Sequence, residues 1–569
     1  MNVSLRAVGL ASAALLLSIA ASWPLAAAPG QWFASDPTMP DLNASMWLPS
    51  HILWAAAGET GLWQADELLW PSGQRIDLLI WNLGAQLLQL PLYAVLSPIA
   101  AYNTSLVAMG ALNGLAGYVL GRQLGGPAAG GAAGAVLLFS PYAWNELVQG
   151  RVEQGLLAGV ALTVAALLSM RQQPSPRAAV AAGLAWAATG LCYWFYAYFL
   201  LLLAVPLGLL ALARRQREQA RDLLITGATA ALVAAPFAVS LLLRAVQQQS
   251  VYSQSTADDV QPLVRSVIGG ASVAAGGLLW PLRAPEFLRD AIPITALMLV
   301  AAAVAGPIRR RAGWLLPVAV GGLLLAMGRL LMWAPSEPVL IGGMQLTMPF
   351  AGLQAALPGF ERLWWPYRWL SFFYVGAAGC AAALVAAVPR RAKPVLAAAL
   401  AAGLLGELRL TQAATRGGLI WDAPTPASVP ALFAEVAAAP EGTAVLLLPY
   451  QGMTSNRLLW QAYFRQPTSA GLGDAEAYLL SPEQRAFVDQ TPALRMLRAL
   501  GRRPPSAPQQ RVPYSGDLPA ELRALGFGYV LLWTGSAPLS VYDPLLGAPS
   551  YKDDTVVIWA ISPRAGGPL

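Results

Sequence analysis

The apolar residues of this chain come in runs rather than in alternating or striped patterns. From the N-terminus to about residue 410, stretches of roughly twenty residues with little charge follow one another, the length an α-helix needs to cross the ~30 Å core of a bilayer. About eleven spanning helices are expected. The first run, "AVGLASAALLLSIAASWPLAAA" behind Arg6, has the basic start and Ala-rich end of a signal peptide. Because many further spans follow, it is read as an uncleaved first helix. Residues 178–213 are too long for one helix and read as a pair turning near "CYWFYAY", whose aromatic rings suit the water–lipid interface.

From Thr411 the pattern changes. Charge and proline rise, no spanning run remains, and "TAVLLLPY", "GYVLLW" and "VVIWAI" read as buried strands. "TPALRMLRALG" reads as a short helix with an apolar face. The expected architecture is a membrane all-α bundle over residues 1–410, with a first external loop at about 28–81, followed by an extracytoplasmic α/β domain over residues 411–569.

Composition sharpens this picture. The 569 residues are 56% hydrophobic and 11% charged, too little charge to cover the surface of a water-soluble protein of this size. The formal charge of +7 is gathered in short clusters: Arg122, then Arg171 and Arg177, then "ARRQREQAR", then Arg309, Arg310 and Arg311, then "RRAK". With Arg6, these alternate along the spans as the positive-inside rule requires, which puts them and the N-terminus in the cytoplasm and the C-terminus outside. The predicted location is a bacterial inner membrane. A nucleic-acid partner would need a continuous basic stripe on a polar domain, which is lacking. Cys192 and Cys380 lie inside apolar segments and read as small core residues; no Cys/His spacing suits zinc.

Chemistry concentrates outside the spans. "SDPTMPDLNASMWLPSH" holds Asp36, Asp41 and the single histidine, His51. Trp47, His51 and Trp54 share one helical face, which predicts an amphipathic helix lying on the membrane surface. A second external segment, "SPYAWNELVQGRVEQG", carries Glu146, Arg151 and Glu153; a third, polar, region covers 244–290; and "LPGFERLWWPYRW" carries Arg362 and Arg368.

In this order the segments resemble the GT-C class of multispanning glycosyltransferases, and most closely a large bacterial branch of it. "PDLNASMW" is similar to the acidic motif of the branch's first external loop, an Asp followed six residues later by Trp. "AYNTSLVAMGALNGLAGYVLGRQLGG" is similar to its second span, and "FSPYAWNELVQGRVEQGLL" with "GLCYWFYAYFLLLL" to its middle spans. "LPGFERLWWPYRWL" resembles the segment leading into a late span, and "VLLLP" a strand of its external C-terminal domain. Two departures stand out: members commonly have Gly-His followed by Asn where this chain has Gly150, Arg151, Val152 and Glu153, and often an Arg where it has Trp364. The resemblance implies transfer of a sugar from a polyprenyl-phosphate carrier to an envelope acceptor on the extracytoplasmic side.

Such a reaction needs a base for the acceptor hydroxyl and cations for the departing phosphate. Asp41 matches the family position for the base; its alternative role is the N-cap of the following helix, and one residue can do both. Asp36 is the second carboxylate, in a Pro-flanked turn where Asp is common for backbone reasons alone. His51 reads as an amphipathic anchor or a substrate contact. Glu146 and Glu153 are candidates for the sugar or for a divalent metal, with a solvated loop as the simpler reading; no motif names a cofactor. Positive-inside bias leaves Arg151, Arg329, Arg362 and Arg368 unexplained, since they sit near outer span ends; guanidinium forks there suit phosphate oxygens, and snorkelling to headgroups is the alternative. Two other classes compete. A lipid-linked sugar transporter or flippase predicts internal repeats and midplane charges, which the sequence lacks. A non-catalytic scaffold would use the C-terminal domain to hold an envelope partner.

Overall fold

The structure, a computed structural model, describes residues 2–36, 39–76, 83–255, 272–275, 292–334, 337–357, 360, 365–414, 433–440, 442–450, 457–471, 482–501, 514–534, 537–554 and 556–561. The chain divides into two compact units: residues 1–29, 81–88 and 103–424 form the first, and residues 30–80, 89–102 and 425–569 the second.

Among the described residues, six helices are long and apolar enough to cross a membrane: Pro98–Gly125, Val152–Gln172, Trp194–Ala213, Arg217–Phe237, Pro366–Ala387 and Lys393–Ala413. Three shorter apolar helices, Arg6–Ser22, Pro127–Leu138 and Leu315–Ala326, accompany them. The pair expected over 178–213 is there. Helix Pro176–Cys192 ends at Tyr193, which is extended (φ −158°, ψ 107°), and Trp194–Ala213 begins. Most of the polar region expected over 244–290 lies outside the described residues; its first part, to Ser255, continues the helix that begins at Arg217.

Burial ranks the helices of the first unit. Pro366–Ala387 is 89% buried along its apolar window and Lys393–Ala413 only 17%, so the former is central and the latter peripheral. Glycines let the central helix pack closely. A Cβ at Gly376 would run into the backbone of Ala319, and one at Gly322 would lie 2.5 Å from the Phe373 nitrogen, so the helix Leu315–Ala326 meets the central helix backbone to backbone. Arg311 donates from Nη1 to the Ala386 carbonyl at 3.1 Å, satisfying a carbonyl in its last turn.

The second unit is α/β. Its sheet runs Ala444–Leu448, Phe527–Trp533, Val556–Ala560, Tyr551–Lys552; the first pair is parallel and the others antiparallel. The three longer strands are nearly continuous apolar runs, as a sheet covered on both faces requires. Helix Pro492–Gly501 buries Leu494, Met496 and Leu497 in the same core as Leu446, Val530 and Trp559. Residues 30–80, the loop expected after the first helix, are part of this unit. Thr468 N–H donates to the Glu67 carbonyl (2.8 Å), Trp70 N–H to the Thr468 carbonyl (3.0 Å) and Leu69 N–H to the Ala470 carbonyl (2.9 Å), while Thr468 bridges to Val445. The Trp70 indole N–H donates to the Leu525 carbonyl at 2.8 Å.

Helix Pro40–Ala56 corrects the expectation of a surface-lying amphipathic helix. Trp47 and His51 are fully buried within the unit, and Trp54 is partly exposed beneath the Arg465 guanidinium, 5.0 Å from its ring centroid. The same aromatic face suits lipid or protein, and here residues after 457 supply the partner: Trp47 donates its indole N–H to Gln461 Oε1 at 2.6 Å.

Gly376→Ala is expected to cost roughly 1–3 kcal/mol, because the backbone of Ala319 cannot give way. Gly406→Ala, where nothing lies within 4 Å, is expected to be neutral or stabilising by up to about 1 kcal/mol. Thermal unfolding of the detergent-purified variants checks both; equal melting behaviour would remove the backbone-contact argument.

Candidate functional site

One end of the first unit is built around a buried carboxylate. Ser140 caps the short helix Pro141–Val148, its Oγ accepting from the Ala143 N–H at 3.2 Å. Gly150 (φ 91°) then turns the chain back so that the Arg151 N–H donates to the Glu146 carbonyl at 2.9 Å. The turn sets the Arg151 guanidinium on the Glu146 carboxylate, with Nε to Oε2 at 2.5 Å and Nη2 to Oε1 at 3.3 Å. Asn145 Nδ2 donates to Oε1 at 2.8 Å and the Tyr367 hydroxyl to Oε2 at 3.3 Å. Arg151 also donates to Gln149 Oε1. Glu146 has no exposure and the Arg151 side chain 16%, so this pair has left water and is held by its donors.

Tyr367 opens the central span and is followed by Arg368. The Arg368 Nε donates to Gln154 Oε1 at 3.1 Å, and its guanidinium lies 5.0 Å from the Phe195 ring centroid, 5.5 Å from Tyr193 and 5.9 Å from Trp365. Among the described residues, its two terminal nitrogens have no hydrogen-bond partner. Gln154 also donates to Glu153 Oε1 at 3.3 Å, and the Gln154 carbonyl accepts from the Tyr196 hydroxyl, which lies 2.8 Å from that of Tyr142. Glu153 is 8% exposed. The structure thus overturns the solvated reading of this loop: Glu146 and Glu153 are both buried. Among the described residues, no three His, Cys, Asp or Glu side chains gather as metal ligands.

Of the proposed contacts, Glu146, Arg151, Glu153 and Arg368 fall into one cluster, joined by Gln154 and Tyr367. Arg329 does not join it. Its side chain is exposed in the turn after Leu315–Ala326, and its carbonyl accepts from Met348 N–H at 2.9 Å. Arg362 lies outside the described residues.

Asp36, Asp41 and His51 belong to the second unit. Asp41 stands in the first turn of Pro40–Ala56, half-buried; the N-cap is Met39 with Pro40 at the first helical position, which corrects the N-cap reading. A carboxylate one residue inside the helix still meets the positive end of its dipole. Exposed Asp36 opens a turn, its carbonyl accepting from Met39 N–H at 3.0 Å. Its charge acts on Arg457: burial pushes that guanidinium down to about 10, and the Asp36 carboxylate opposes the shift. His51 stacks on Trp47 (4.8 Å between centroids) and sets Nδ1 2.6 Å from Glu67 Oε1, while Glu67 Oε2 accepts from Thr60 Oγ1 at 2.9 Å. His51 Nε2 is buried and has no partner among the described residues. This is a core position rather than a lipid anchor.

No protein-family model matches the sequence, and no curated protein sequence does. Solved structures do match its fold. Arabinofuranosyltransferase AftD from Mycobacteria aligns over 98% of this chain with a TM-score of 0.50 at 17% identity; the chain spans 40% of AftD. The Archaeoglobus fulgidus oligosaccharyltransferase, tethered with an acceptor peptide containing the NVT sequon, aligns over 92% of this chain and 68% of its own, with a TM-score of 0.50 at 12% identity. The chain carries the GT-C glycosyltransferase fold, and with several apolar helices, six of them among the described residues long enough to cross a bilayer, it is an integral membrane protein.

Glu146→Gln is expected to lower stability by about 3–5 kcal/mol, since it strands a largely buried guanidinium. The double variant Glu146→Gln with Arg151→Met should lose less than the sum of the two single changes, a coupling of 0.5 kcal/mol or more. Unfolding in detergent of the four proteins of this cycle measures it, and additive losses would show the pair to be uncoupled.

Proposed function

We propose that this protein is an integral-membrane glycosyltransferase that moves a sugar from a polyprenyl-phosphate carrier to an envelope acceptor on the extracytoplasmic side. The observation that carries this reading is Arg368: at the mouth of the central span, in a GT-C fold, aromatic rings and Gln154 hold a guanidinium whose two terminal nitrogens have no hydrogen-bond partner among the described residues. A fork held in that way suits two oxygens of a phosphate at the water–lipid boundary.

In this reading the acceptor hydroxyl attacks the anomeric carbon while the bond from that carbon to the carrier phosphate breaks. The bonding pair leaves on the phosphate oxygen. Arg368 stabilises the charge that develops there, and because it is preorganised it does so without reorganising at the moment of reaction. The hydroxyl proton passes to a carboxylate. Asp41 is assigned that role on its match to the family's acidic position and its half-buried place at a helix start. Tyr367 and the Glu146–Arg151 pair act as positioning residues, fixing the backbone that carries Arg368.

Membranes holding the protein, supplied with mannosyl, glucosyl and arabinosyl polyprenyl phosphates, test the assignment. Asp41→Asn is expected to cut transfer by about 10²–10⁴-fold at unchanged expression, as loss of a general base does. Arg368→Gln should cut it by about 10²-fold or more, with Arg368→Lys recovering only part. Wild-type transfer by Asp41→Asn removes Asp41 as the base. Transport of intact carrier across proteoliposomes, with no transfer by any variant, would reassign the protein as a transporter.

A further inference from the structure

Helices Val152–Gln172 and Leu370–Ala387 both start at the Arg368 cluster and run away from it. Their far ends carry Arg171 and the Ala386 carbonyl that Arg311 caps. Arg171 stands 13 residues beyond Ala158, the start of the helix Ala158–Gln172 that follows a break at Leu156, about 20 Å of helix. At that far end lies a shallow surface groove. Leu167, Leu207, Leu210 and Leu223 wall it, and Arg171 and Arg214 stand over it.

Three features define what the groove suits. Both arginines are exposed, and neither pairs with a carboxylate among the described residues, whereas nearby Arg221 is taken by Asp222 at 2.7 Å. The Trp314 indole N–H, which also lines the groove, is buried with no acceptor among the described residues. The turn that presents Arg214 is sharply fixed: Arg215 takes a left-handed backbone (φ 58°), unusual for a long side chain, and the Gln216 N–H reaches back to the Ala211 carbonyl at 2.8 Å. The groove therefore offers two positive forks and one hydrogen-bond donor above a strip of leucine, on helices that cross a membrane.

We propose that this groove binds the phosphate headgroup of an anionic phospholipid from the leaflet facing the arginine-rich end, with the start of an acyl chain along the leucine wall. Arg171 and Arg214 take the phosphate oxygens, and the Trp314 N–H takes a headgroup or ester oxygen. The apolar wall favours a lipid over a free phosphate, since a soluble anion leaves it wet. The site is separate from the Arg368 cluster, at the other end of the same helices, and does not depend on the reading of that cluster.

Native mass spectrometry of the purified full chain, with dioleoylphosphatidylglycerol and dioleoylphosphatidylcholine as competing probes, tests the proposal. The wild type is expected to retain phosphatidylglycerol preferentially. Arg171→Gln with Arg214→Gln should lower that retention by about tenfold, in line with the attraction of two arginines to an anionic lipid. Trp314→Phe should lower it less, and phosphatidylcholine retention should be unchanged throughout. Arg390→Gln with Arg391→Gln, exposed and at the same end but outside the groove, is the control. An equal loss in that control would show a diffuse positive surface and overturn the site. Retention unaffected by the Arg171 and Arg214 changes would overturn it directly, and displacement of the lipid by millimolar glycerol phosphate would overturn the choice of a lipid ligand. Because the two arginines are exposed, their replacement leaves the fold intact, which matching thermal unfolding verifies.

Discussion

A carboxylate with no exposure to water sets the terms for the end of the first unit that carries Arg368. Desolvating Glu146 costs several kcal/mol unless donors replace its hydration. The local chain is shaped to supply them. Gly150 makes the reversal that returns Arg151 to Glu146, and Asn145 and Tyr367 bring donors from beside it and from the start of the central span. Tyr367 is one of the donors to this acid, so the backbone of the next residue, Arg368, is tied to a charge balance made elsewhere. The placing of the Arg368 guanidinium thus follows in part from satisfying a buried acid.

The second unit applies the same logic with backbone groups. The 67–70 stretch of the first loop would expose unpaired N–H and C=O groups on its own. It settles them by pairing with 468–470, which bridges to the first strand of the sheet. Once that ladder forms, helix Pro40–Ala56 is drawn into the interior, and each buried polar tip on it needs a partner. Trp47 finds Gln461, 414 residues away in sequence, and His51 finds Glu67. A segment that reads as membrane-surface chemistry is thereby turned into the core of an α/β unit, with Asp41 kept at its partly open end.

What the sequence disclosed follows from how local each signal is. Apolar run length is a local property, and the helix pair over 178–213, the three buried strands and the helix Pro492–Gly501 were all readable from it. Arg368 could be singled out because positive-inside bias leaves it unexplained, and Glu146 because it falls in one of the few polar stretches between apolar runs. Their joint membership of one cluster was not readable, since the Tyr367–Glu146 contact spans 221 residues. Gln154 went unnoticed because glutamine beside Glu153 carries no distinctive pattern, although it is the residue that ties Arg368 to the loop. The burial of Trp47 was misjudged for a physical reason: an aromatic helix face is equally suited to lipid and to a protein core, and only the distant partner decides.

The arginines of the first unit show how far environment, rather than residue type, assigns a role. Arg151 closes a buried ion pair, and Arg311 caps a helix end through the Ala386 carbonyl. Arg221 shields a fully buried Asp222, a charge that would otherwise be stranded among apolar helices. In each of these the guanidinium is directed at a carboxylate or backbone carbonyl of the fold itself. Arg368 is different: its ring partners and the single bond to Gln154 fix its orientation while spending one of its five donors. Arg171 and Arg214 differ again, standing over leucine with no acidic partner among the described residues. Positive-inside bias accounts for the side of the membrane on which such residues sit and is indifferent to what they touch. The distinction lies in the donors left over after the fold has been satisfied, and by that measure both Arg368 and the Arg171–Arg214 pair keep unspent N–H groups.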